Sequence, residues 1–370
     1  MQKIKLNEIY CGDSLGLLKQ LPDELIDCVV TSPPYWALRD YGVKNQLGLE
    51  ANFENYINRL CDIFNEVKRV LKNTGTCWVN IGDTYYTKSG GAFLNDQISS
   101  KEKVKLSGIN RANEIRGRGL LEDKNLTLIP FRFAMEMQRR GWLIRNVIIW
   151  HKPNCMPSSV RDRFTVDFEY LFFFVKNKKY YFEQQREQHK AESLSRIKQN
   201  WNGHREYGSS FSGMNIKKMC HPDGRNKRCV WKISTKSFKG AHFAVYPSEL
   251  IETPIKSGCP EFVCNKCGKP KIKFCKKIGE INVSPIGGIK HRNNGNPIYS
   301  GNNKQNIYDD GNYVPSCRCN AGFSSGIVLD PFIGSGTTAI VCKQLGRKYL
   351  GFDINKKYCE IARGRINAQK

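Results

Sequence analysis

The sequence lacks any apolar run long enough to cross a bilayer, and residues Met1 to Leu25 lack the pattern of a signal peptide. These absences argue against a membrane protein and against an exported one. We therefore expect a soluble protein of the cytoplasm. At 370 residues, the chain is long enough for one large α/β domain with inserts, or for two domains.

Acidic residues are scarce relative to basic ones. Lys and Arg number 59 against 34 for Asp and Glu, which gives a formal net charge of +25. Such an excess attracts polyanions, of which nucleic acid is the commonest, with a membrane surface as the competing interpretation. Between residues 184 and 229, basic side chains are interleaved with aromatic ones that could stack on bases. A solvated surface lobe is the alternative for that region.

The apolar pattern predicts strands that alternate with helices. Strands are predicted at Leu25 to Thr31, Thr76 to Ile81, Leu143 to Trp150, Glu169 to Val175 and Gly326 to Asp330. The alternation implies an α/β fold, with a mostly parallel twisted sheet and helices on both faces. Between Lys88 and Lys124 the apolar pattern fades into Ser, Gly, Asn and charged residues, which indicates a long mobile excursion.

A glycine turn follows the last of these strands, in the segment Leu329-Asp330-Pro331-Phe332-Ile333-Gly334-Ser335-Gly336-Thr337-Thr338. The turn lacks the third glycine of a dinucleotide site and the Gly-Lys-Ser/Thr of a P-loop, which argues against both. Asp353 ends the next strand, seventeen positions after Gly336, close to where an acidic residue would reach the two hydroxyl groups of a ribose. We expect a nucleoside ligand without a pyrophosphate, such as S-adenosylmethionine. A purely structural turn is the alternative.

A rigid turn, Thr31-Ser32-Pro33-Pro34-Tyr35-Trp36, follows the strand that begins at Leu25. Its two prolines fix the backbone and remove N–H donors, so the turn is rich in acceptors. Ser32 and the Pro33 carbonyl group could accept hydrogen bonds from the exocyclic amine of a base, and Tyr35 could stack on the ring. An amine inside a duplex cannot reach such a pocket, so the nucleotide would have to be flipped out. The alternative is a proline-rich loop that only closes the strand.

With these two motifs the chain resembles the amino-methylating DNA methyltransferases, specifically the circularly permuted β group, in which the catalytic motif precedes the cofactor motif. The resemblance also covers Ile9 to Leu15, Trp150 to Asn154, Arg161 to Phe164, Val230 to Ile233, His242 to Ala244, Pro247, and Val328 to Ile361. It implies a Rossmann-like methyltransferase fold with S-adenosylmethionine as the cofactor. The residues implied at the cofactor are Asp13, Asp330, Phe332, Gly334, Ser335, Gly336, Thr337, Asp353, His242, Phe243 and Ala244. The residues implied in catalysis are Ser32, Pro33, Pro34 and Tyr35.

Family members with Ser before Pro-Pro-Tyr usually methylate N4 of cytosine, whereas Asp there usually signals N6 of adenine. The resemblance therefore implies a site-specific methyltransferase acting on cytosine N4 in double-stranded DNA, with adenine N6 as the alternative. No cysteine stands in the Pro-Cys setting of a nucleophile that attacks a cytosine ring, so we expect direct transfer. The family also implies a bacterial or phage origin. A cognate restriction endonuclease is a candidate partner, but the sequence does not reveal whether one accompanies the chain. A zinc-stabilised nucleic-acid-binding module without activity is the alternative of another class.

Four of the fifteen cysteines form two close pairs, Cys264-Asn-Lys-Cys267 and Cys317-Arg-Cys319. Thiolates at such spacing can bind zinc tetrahedrally, so we predict a structural zinc, with Cys259 and Cys275 as substitute ligands. Unligated thiols are the alternative. A catalytic metal is not expected, because four cysteines leave no open position on the ion.

These patterns predict four parts of the chain. Residues 1–183 form the catalytic half of the methyltransferase domain, and residues 184–229 form the target-recognition region. Residues 230–258 and 324–370 form the cofactor-binding half. Residues 259–323 form a cysteine-bearing insert.

Overall fold

The structure is a computed structural model. It describes residues 4–86, 121–190, 224–236, 245–274 and 311–369, residues 192 and 195, and the backbone of four short strands between residues 277 and 308. The chain divides into two compact units. The first comprises Met1–Glu183, Arg228–Val263 and Phe323–Lys370, and the second comprises Gln184–Lys227 and Cys264–Gly322. The predicted excursion at 88–124 lies almost entirely outside the described residues, and the finer domain boundaries stay a prediction.

The described strands, in chain order, are β1 (Glu8–Cys11), β2 (Ile26–Thr31), β3 (Leu71–Ile81), β4 (Leu143–His151), β5 (Phe168–Val175), β6 (Arg186–Glu187), β7 (Arg225–Asn226), β8 (Val230–Lys232), β9 (Val263–Cys264), β10 (Lys271–Phe274), β11 (Lys277–Val283), β12 (Lys290–His291), β13 (Pro297–Ile298), β14 (Asn303–Tyr308), β15 (Asn312–Pro315), β16 (Phe323–Ser324), β17 (Ile327–Asp330) and β18 (Lys348–Asp353). The described helices are α1 (Ser14–Leu18), α2 (Phe53–Val70), α3 (Ile129–Arg139), α4 (Ser248–Gly258), α5 (Thr337–Gln344) and α6 (Lys356–Asn367). None of these helices has the length and apolar character needed to cross a bilayer.

The first unit is built around an eight-stranded sheet with the order β1-β18-β17-β2-β3-β5-β4-β8. Neighbouring strands are parallel except at β5, which runs antiparallel to both β3 and β4. The predicted α/β fold with a mostly parallel sheet is therefore confirmed. The reversed direction of β5 was not predicted.

Helices pack on both faces of this sheet because successive strand residues point to opposite sides. In β2, Val29 packs in the cluster that contains residues of α1, α2 and α3, whereas Cys28 and Val30 pack in the cluster that contains residues of α4, α5 and α6. β2 is buried along its whole length. Because β2 is a buried central strand, it fixes the position of the loop that follows Thr31.

The helix α2 is followed directly by β3. Its start is capped by Asn52, whose side-chain oxygen accepts a 2.8 Å hydrogen bond from the Asn55 N–H group. The helix ends at Val70, and Gly75 lies inside β3. Gly75 is needed there because a Cβ atom would lie 2.6 Å from Leu71 Cδ1 and 3.0 Å from the Asp27 carbonyl oxygen.

The described part of the second unit contains several short strand pairs. β6 pairs with β7, β10 with β15, β11 with β14 and β12 with β13, all antiparallel. Ile272 and Phe274 on β10 are 49% and 65% exposed, so apolar packing around that ladder is sparse.

Candidate active site

The two predicted loops begin side by side at one edge of the sheet. β17 pairs in parallel with β2, with Leu329 opposite Val29, so both strands end at that edge. Thr31, the last residue of β2, donates a 2.6 Å hydrogen bond from Oγ1 to Oδ1 of Asp330, the last residue of β17. A cavity of about 340 Å³ opens beside them. Ser32 from one loop and Gly334 from the other both line it.

The glycine turn follows a backbone path that favours glycine at two positions. Gly334 has a φ of 51° and Gly336 a φ of 86°, both in the left-handed region. A Cβ atom on Gly336 would lie 2.9 Å from the Cβ of Ala362, so a side chain there would displace α6 or the start of α5. Gly336 itself is not part of the cavity wall. The wall residues from this turn are Phe332, Gly334, Ser335 and Thr337 among the predicted set, with Ile333 in addition.

Asp353 lines the same cavity at the end of β18. Its Oδ2 atom accepts a 3.0 Å hydrogen bond from the Gly334 N–H group, and its Oδ1 atom accepts one of 2.8 Å from Asn355 N–H. Burial raises the pKa of Asp353 to about 6, although the two N–H donors act in the opposite direction. Each carboxylate oxygen keeps a further lone pair for a ligand hydroxyl group.

Asp13 lies next to Asp353 because β1 pairs in parallel with β18, with Cys11 opposite Asp353. The Gly12 N–H group continues this pairing with a 2.9 Å hydrogen bond to the Asp353 carbonyl oxygen. Asp13 caps α1 by accepting a 2.8 Å hydrogen bond from Gly16 N–H, and it lines the cavity.

Asp330 lies behind the cavity wall, although the sequence predicts that it lines the cofactor site. Its side chain is fully buried and accepts from Thr31, from Phe332 N–H at 3.0 Å, from the Tyr246 hydroxyl at 2.9 Å and from Thr338 Oγ1 at 2.5 Å. Burial raises the pKa of Asp330, and the donors partly offset this. Because its lone pairs are used by the protein, Asp330 joins the two loops and has little capacity left for a ligand.

The Ser-Pro-Pro-Tyr loop has an open acceptor at the Pro33 carbonyl group. The Tyr56 hydroxyl donates a 2.8 Å hydrogen bond to the Pro34 carbonyl oxygen. Within the described part of the chain, no hydrogen bond is formed to the Pro33 carbonyl oxygen. Ser32 Oγ lies 3.5 Å from the Tyr35 hydroxyl oxygen. Ser32, Pro33, Pro34 and Tyr35 all line the cavity, so its wall offers acceptors beside an aromatic ring.

A cluster of polar side chains surrounds Tyr35. The Tyr35 hydroxyl donates a 2.7 Å hydrogen bond to Glu169 Oε2, and the Asn80 side-chain amide donates to the same oxygen at 3.1 Å. Lys152 forms an ion pair with Glu169 Oε1, and its Nζ lies 4.5 Å from the centre of the Trp150 ring. Burial and the neighbouring Glu169 carboxylate raise the pKa of Tyr35 well above its usual value, so the hydroxyl stays protonated and donates. Asn80, Lys152 and Glu169 line the cavity but were not among the predicted site residues.

Some predicted site residues lie elsewhere. His242, Phe243 and Ala244 fall outside the described residues, while the next two residues along the chain, Val245 and Tyr246, line the cavity. The four predicted zinc ligands, Cys264, Cys267, Cys317 and Cys319, belong to the second unit, where their Sγ atoms gather in one group.

Comparison with known proteins adds an independent observation. The sequence matches the N6/N4 methyltransferase family model, described as DNA methylase, over residues 26–265 and 320–364. It is 34% identical over 361 residues to the Type II methyltransferase M.Cfr9I of Citrobacter freundii. That match covers 98% of this chain and 88% of the relative. It is also 34% identical over 359 residues to the Type II methyltransferase M.SmaI of Serratia marcescens, with 97% and 90% covered.

A solved structure shares the fold. The PvuII DNA methyltransferase, described as cytosine-N4-specific, superposes with a TM-score of 0.52 and 16% sequence identity, covering 96% of this chain and 85% of that one. The resemblance carried by the Ser-Pro-Pro-Tyr and glycine-turn motifs is thus confirmed at the level of the family, while the assignment to the permuted β group stays a prediction. This chain belongs to the N6/N4 family of DNA methylases.

Proposed function

We propose that the chain transfers the methyl group of S-adenosylmethionine to N4 of cytosine in a specific sequence of double-stranded DNA. Family membership supports methyl transfer to an exocyclic amine of a DNA base. The observation that carries the proposal is the shared cavity, in which Ser32 and Gly334 line the same space next to the Thr31–Asp330 hydrogen bond.

The glycine-turn side of the cavity fits a nucleoside. The Asp353 carboxylate can accept hydrogen bonds from two ribose hydroxyl groups while it keeps its backbone donors Gly334 and Asn355. Glycine at 334 and 336 keeps side chains away from the path of the turn. S-adenosylmethionine, when bound there, supplies a methyl group carried on positively charged sulfur. The absence of a lysine in the turn agrees with a ligand that has no polyphosphate.

The Ser-Pro-Pro-Tyr side would hold the base. The open Pro33 carbonyl oxygen and Ser32 Oγ would accept the N–H groups of the target amine and fix its nitrogen in one position. Tyr35 would stack on the flipped base, which contributes about 1–3 kcal/mol per stacked base in comparable sites. The chain's contribution to catalysis is then chiefly proximity and alignment. The amine nitrogen would attack the methyl carbon directly, the sulfur would leave as a neutral thioether, and one amine proton would be released to solvent. No side chain of this site therefore has to act as a nucleophile.

Ser32 supports cytosine as the target base, and nucleoside analysis tests this. DNA incubated with the purified chain and labelled S-adenosylmethionine should yield N4-methylcytosine on digestion and mass spectrometry. N6-methyladenine instead would overturn the choice of base while keeping the family activity. Label in neither base, together with failure to bind S-adenosylmethionine in calorimetry, would favour a zinc-stabilised nucleic-acid-binding module without activity. A competing RNA duplex should not reduce the labelling of DNA.

The proposal extends to the biological setting. Residues 184–229 would read the target sequence, and the methylated sequence would be protected from a cognate restriction endonuclease in the same cytoplasm. Mapping of the modified positions gives the recognition sequence. Basic-to-neutral changes within 184–229 should then weaken DNA binding without changing which atom is methylated.

A further inference from the structure

The second unit brings two pairs of thiols together at one end of a strand ladder. β10 and β15 are antiparallel, with Lys271 opposite Pro315. Cys264 and Cys267 precede β10, and Cys317 and Cys319 follow β15, so all four belong to the same end. Their Sγ atoms all lie within 4.8 Å of one another. A pairing of strands far apart in sequence thus produces one compact group of four thiols.

The first pair stands in a tight turn. Gly268 has a φ of 68°, and its N–H group donates a 3.0 Å hydrogen bond to the Cys264 carbonyl oxygen. The turn brings Cys264 and Cys267 to the same end of the ladder, at the spacing of a zinc-binding pair.

The second pair has a shorter spacing, with one residue between its cysteines. Each pair encloses a basic residue, Lys266 in the first and Arg318 in the second. Four thiolates around a divalent ion leave a net charge of −2, which these cations partly compensate.

A metal ion accounts for this cluster of four thiols better than an apolar core or a pair of disulfides does. Buried thiols in an apolar core are common, but Cys267 is exposed and Cys317 and Cys319 are only half-buried. Two disulfides would not be expected to persist in the reducing cytoplasm predicted for this chain. The described apolar side chains of the ladder, Ile272 and Phe274, are exposed, and a small element with little apolar packing is commonly stabilised by a metal ion.

We propose that Cys264, Cys267, Cys317 and Cys319 bind one structural Zn²⁺ ion as a tetrathiolate that closes the base of the insert carrying β11 to β14. Zn–S bonds of about 2.3 Å place the sulfur atoms about 3.8 Å apart, so the thiols need to move by no more than about 1 Å. The four ligands leave no open coordination position, and the ion therefore has no role in methyl transfer. Zn²⁺ fits such a sulfur-only site because it needs no redox partner.

Metal analysis of the full chain, purified without a metal-binding tag, tests the stoichiometry. We expect one zinc per chain, and loss of most of it in Cys264→Ser and in Cys317→Ser, which each remove one ligand from one pair. Cys229→Ser is the matched control, because Cys229 is exposed and lies outside the group. Zinc-free wild-type protein, stoichiometric iron, or full zinc retention in both ligand variants would overturn the proposal.

Alkylation of the wild-type chain gives a second readout that does not depend on the folding of a variant. Cys267 and Cys229 are both exposed, so their thiols should react similarly unless Cys267 is held by a metal. We expect Cys267 to react far more slowly than Cys229, and to become reactive after removal of zinc with a chelator. Equal alkylation rates of Cys267 and Cys229 before chelation would show that no metal is bound. A protein mass lowered by the hydrogen atoms lost on disulfide formation within the group would show the same.

Discussion

The Tyr35 hydroxyl group donates a 2.7 Å hydrogen bond to the Glu169 carboxylate. Glu169 is in turn paired with Lys152, and both of these side chains are only 18% exposed. The aromatic ring proposed to stack on the target base is therefore tied to an ion pair that is largely shielded from water. Rotation of the ring away from this position loses a hydrogen bond to a charged group, which costs about 1.5–3 kcal/mol. The ring is thus held in one orientation before DNA binds.

Tyr35→Ala should lower methylation about 100-fold while the cofactor dissociation constant stays within about threefold of wild type, since stacking is worth about 1–3 kcal/mol per base. Tyr35→Phe keeps the ring and loses only the bond to Glu169, so it should retain more activity than Tyr35→Ala. Single-turnover rates with duplex DNA and calorimetry with S-adenosylmethionine measure the two effects. Equal activity of Tyr35→Ala and wild type would remove Tyr35 from the proposed site.

Glu169→Gln should lower kcat about tenfold with little change in cofactor affinity, because Glu169 positions Tyr35 and does not itself hold the base. The Gln side chain also leaves Lys152 without its partner charge. Glu252→Gln, which breaks the exposed pair with Lys256, is the matched control and should be neutral. In a double-mutant cycle, Glu169→Gln should lower the rate less in the Tyr35→Phe background than in wild type, because the Tyr35–Glu169 hydrogen bond that it weakens is already absent there. Fully additive rate losses would mean that Glu169 acts through something other than Tyr35.

The strands and helices that position the site could be predicted from apolar periodicity, and so could both loops. β2 is buried on both faces and reads as an apolar run interrupted by Asp27, and the helical spacing from Phe53 onwards marks α2. The direction of β5 could not be predicted, because a run such as Phe172 to Val175 has the same pattern in either direction.

Because the direction of β5 could not be predicted from the sequence, Glu169 was not predicted as a site residue. In a parallel sheet, the residues at the carboxyl ends of strands gather at one edge. β5 is antiparallel, so Glu169, near its amino end, reaches that same edge. Asn80 and Lys152 lie at the carboxyl ends of β3 and β4. They could have been predicted from the rule that functional residues gather at the carboxyl ends of parallel strands. The resemblance implied Asp330 at the cofactor, whereas its side chain is fully buried, and burial depth cannot be derived from a motif.

Gly334→Ala should weaken cofactor binding, and Gly346→Ala provides the comparison. Both glycines have positive φ angles, 51° and 65°, and neither has an atom closer than 4.0 Å to an added Cβ. The backbone strain of about 1–2 kcal/mol is therefore the same in both variants. Only Gly334 lines the cavity and donates to Asp353. Thermal unfolding should show similar losses of stability, whereas calorimetry should show weaker S-adenosylmethionine binding only in Gly334→Ala. Similar affinities in the two variants would contradict the placement of the cofactor at this turn.

Asp353 should make cofactor binding depend on pH near neutrality. Burial raises its pKa from 3.8 to about 6, and ribose hydroxyl groups bind the ionised carboxylate more strongly than the neutral acid. At pH 5 only about a tenth of the carboxylate is ionised, so the dissociation constant of S-adenosylmethionine should rise about tenfold between pH 7 and pH 5. Calorimetry across this range measures the change.

The titration of Asp353 should also make the stability of the cofactor-free chain depend on pH. Because the folded-state pKa of Asp353 lies above its usual value, the folded chain binds more protons than the unfolded one between about pH 4 and pH 6. Asp353 therefore lowers the free energy of unfolding as the pH rises through this window, and the decrease is nearly complete once the pH exceeds the folded-state pKa of about 6. Asp353→Asn cannot ionise, so it should remove both this stability change and the pH dependence of cofactor affinity, at the cost of weaker binding throughout. An unchanged affinity profile in Asp353→Asn would show that another group titrates at the cofactor site.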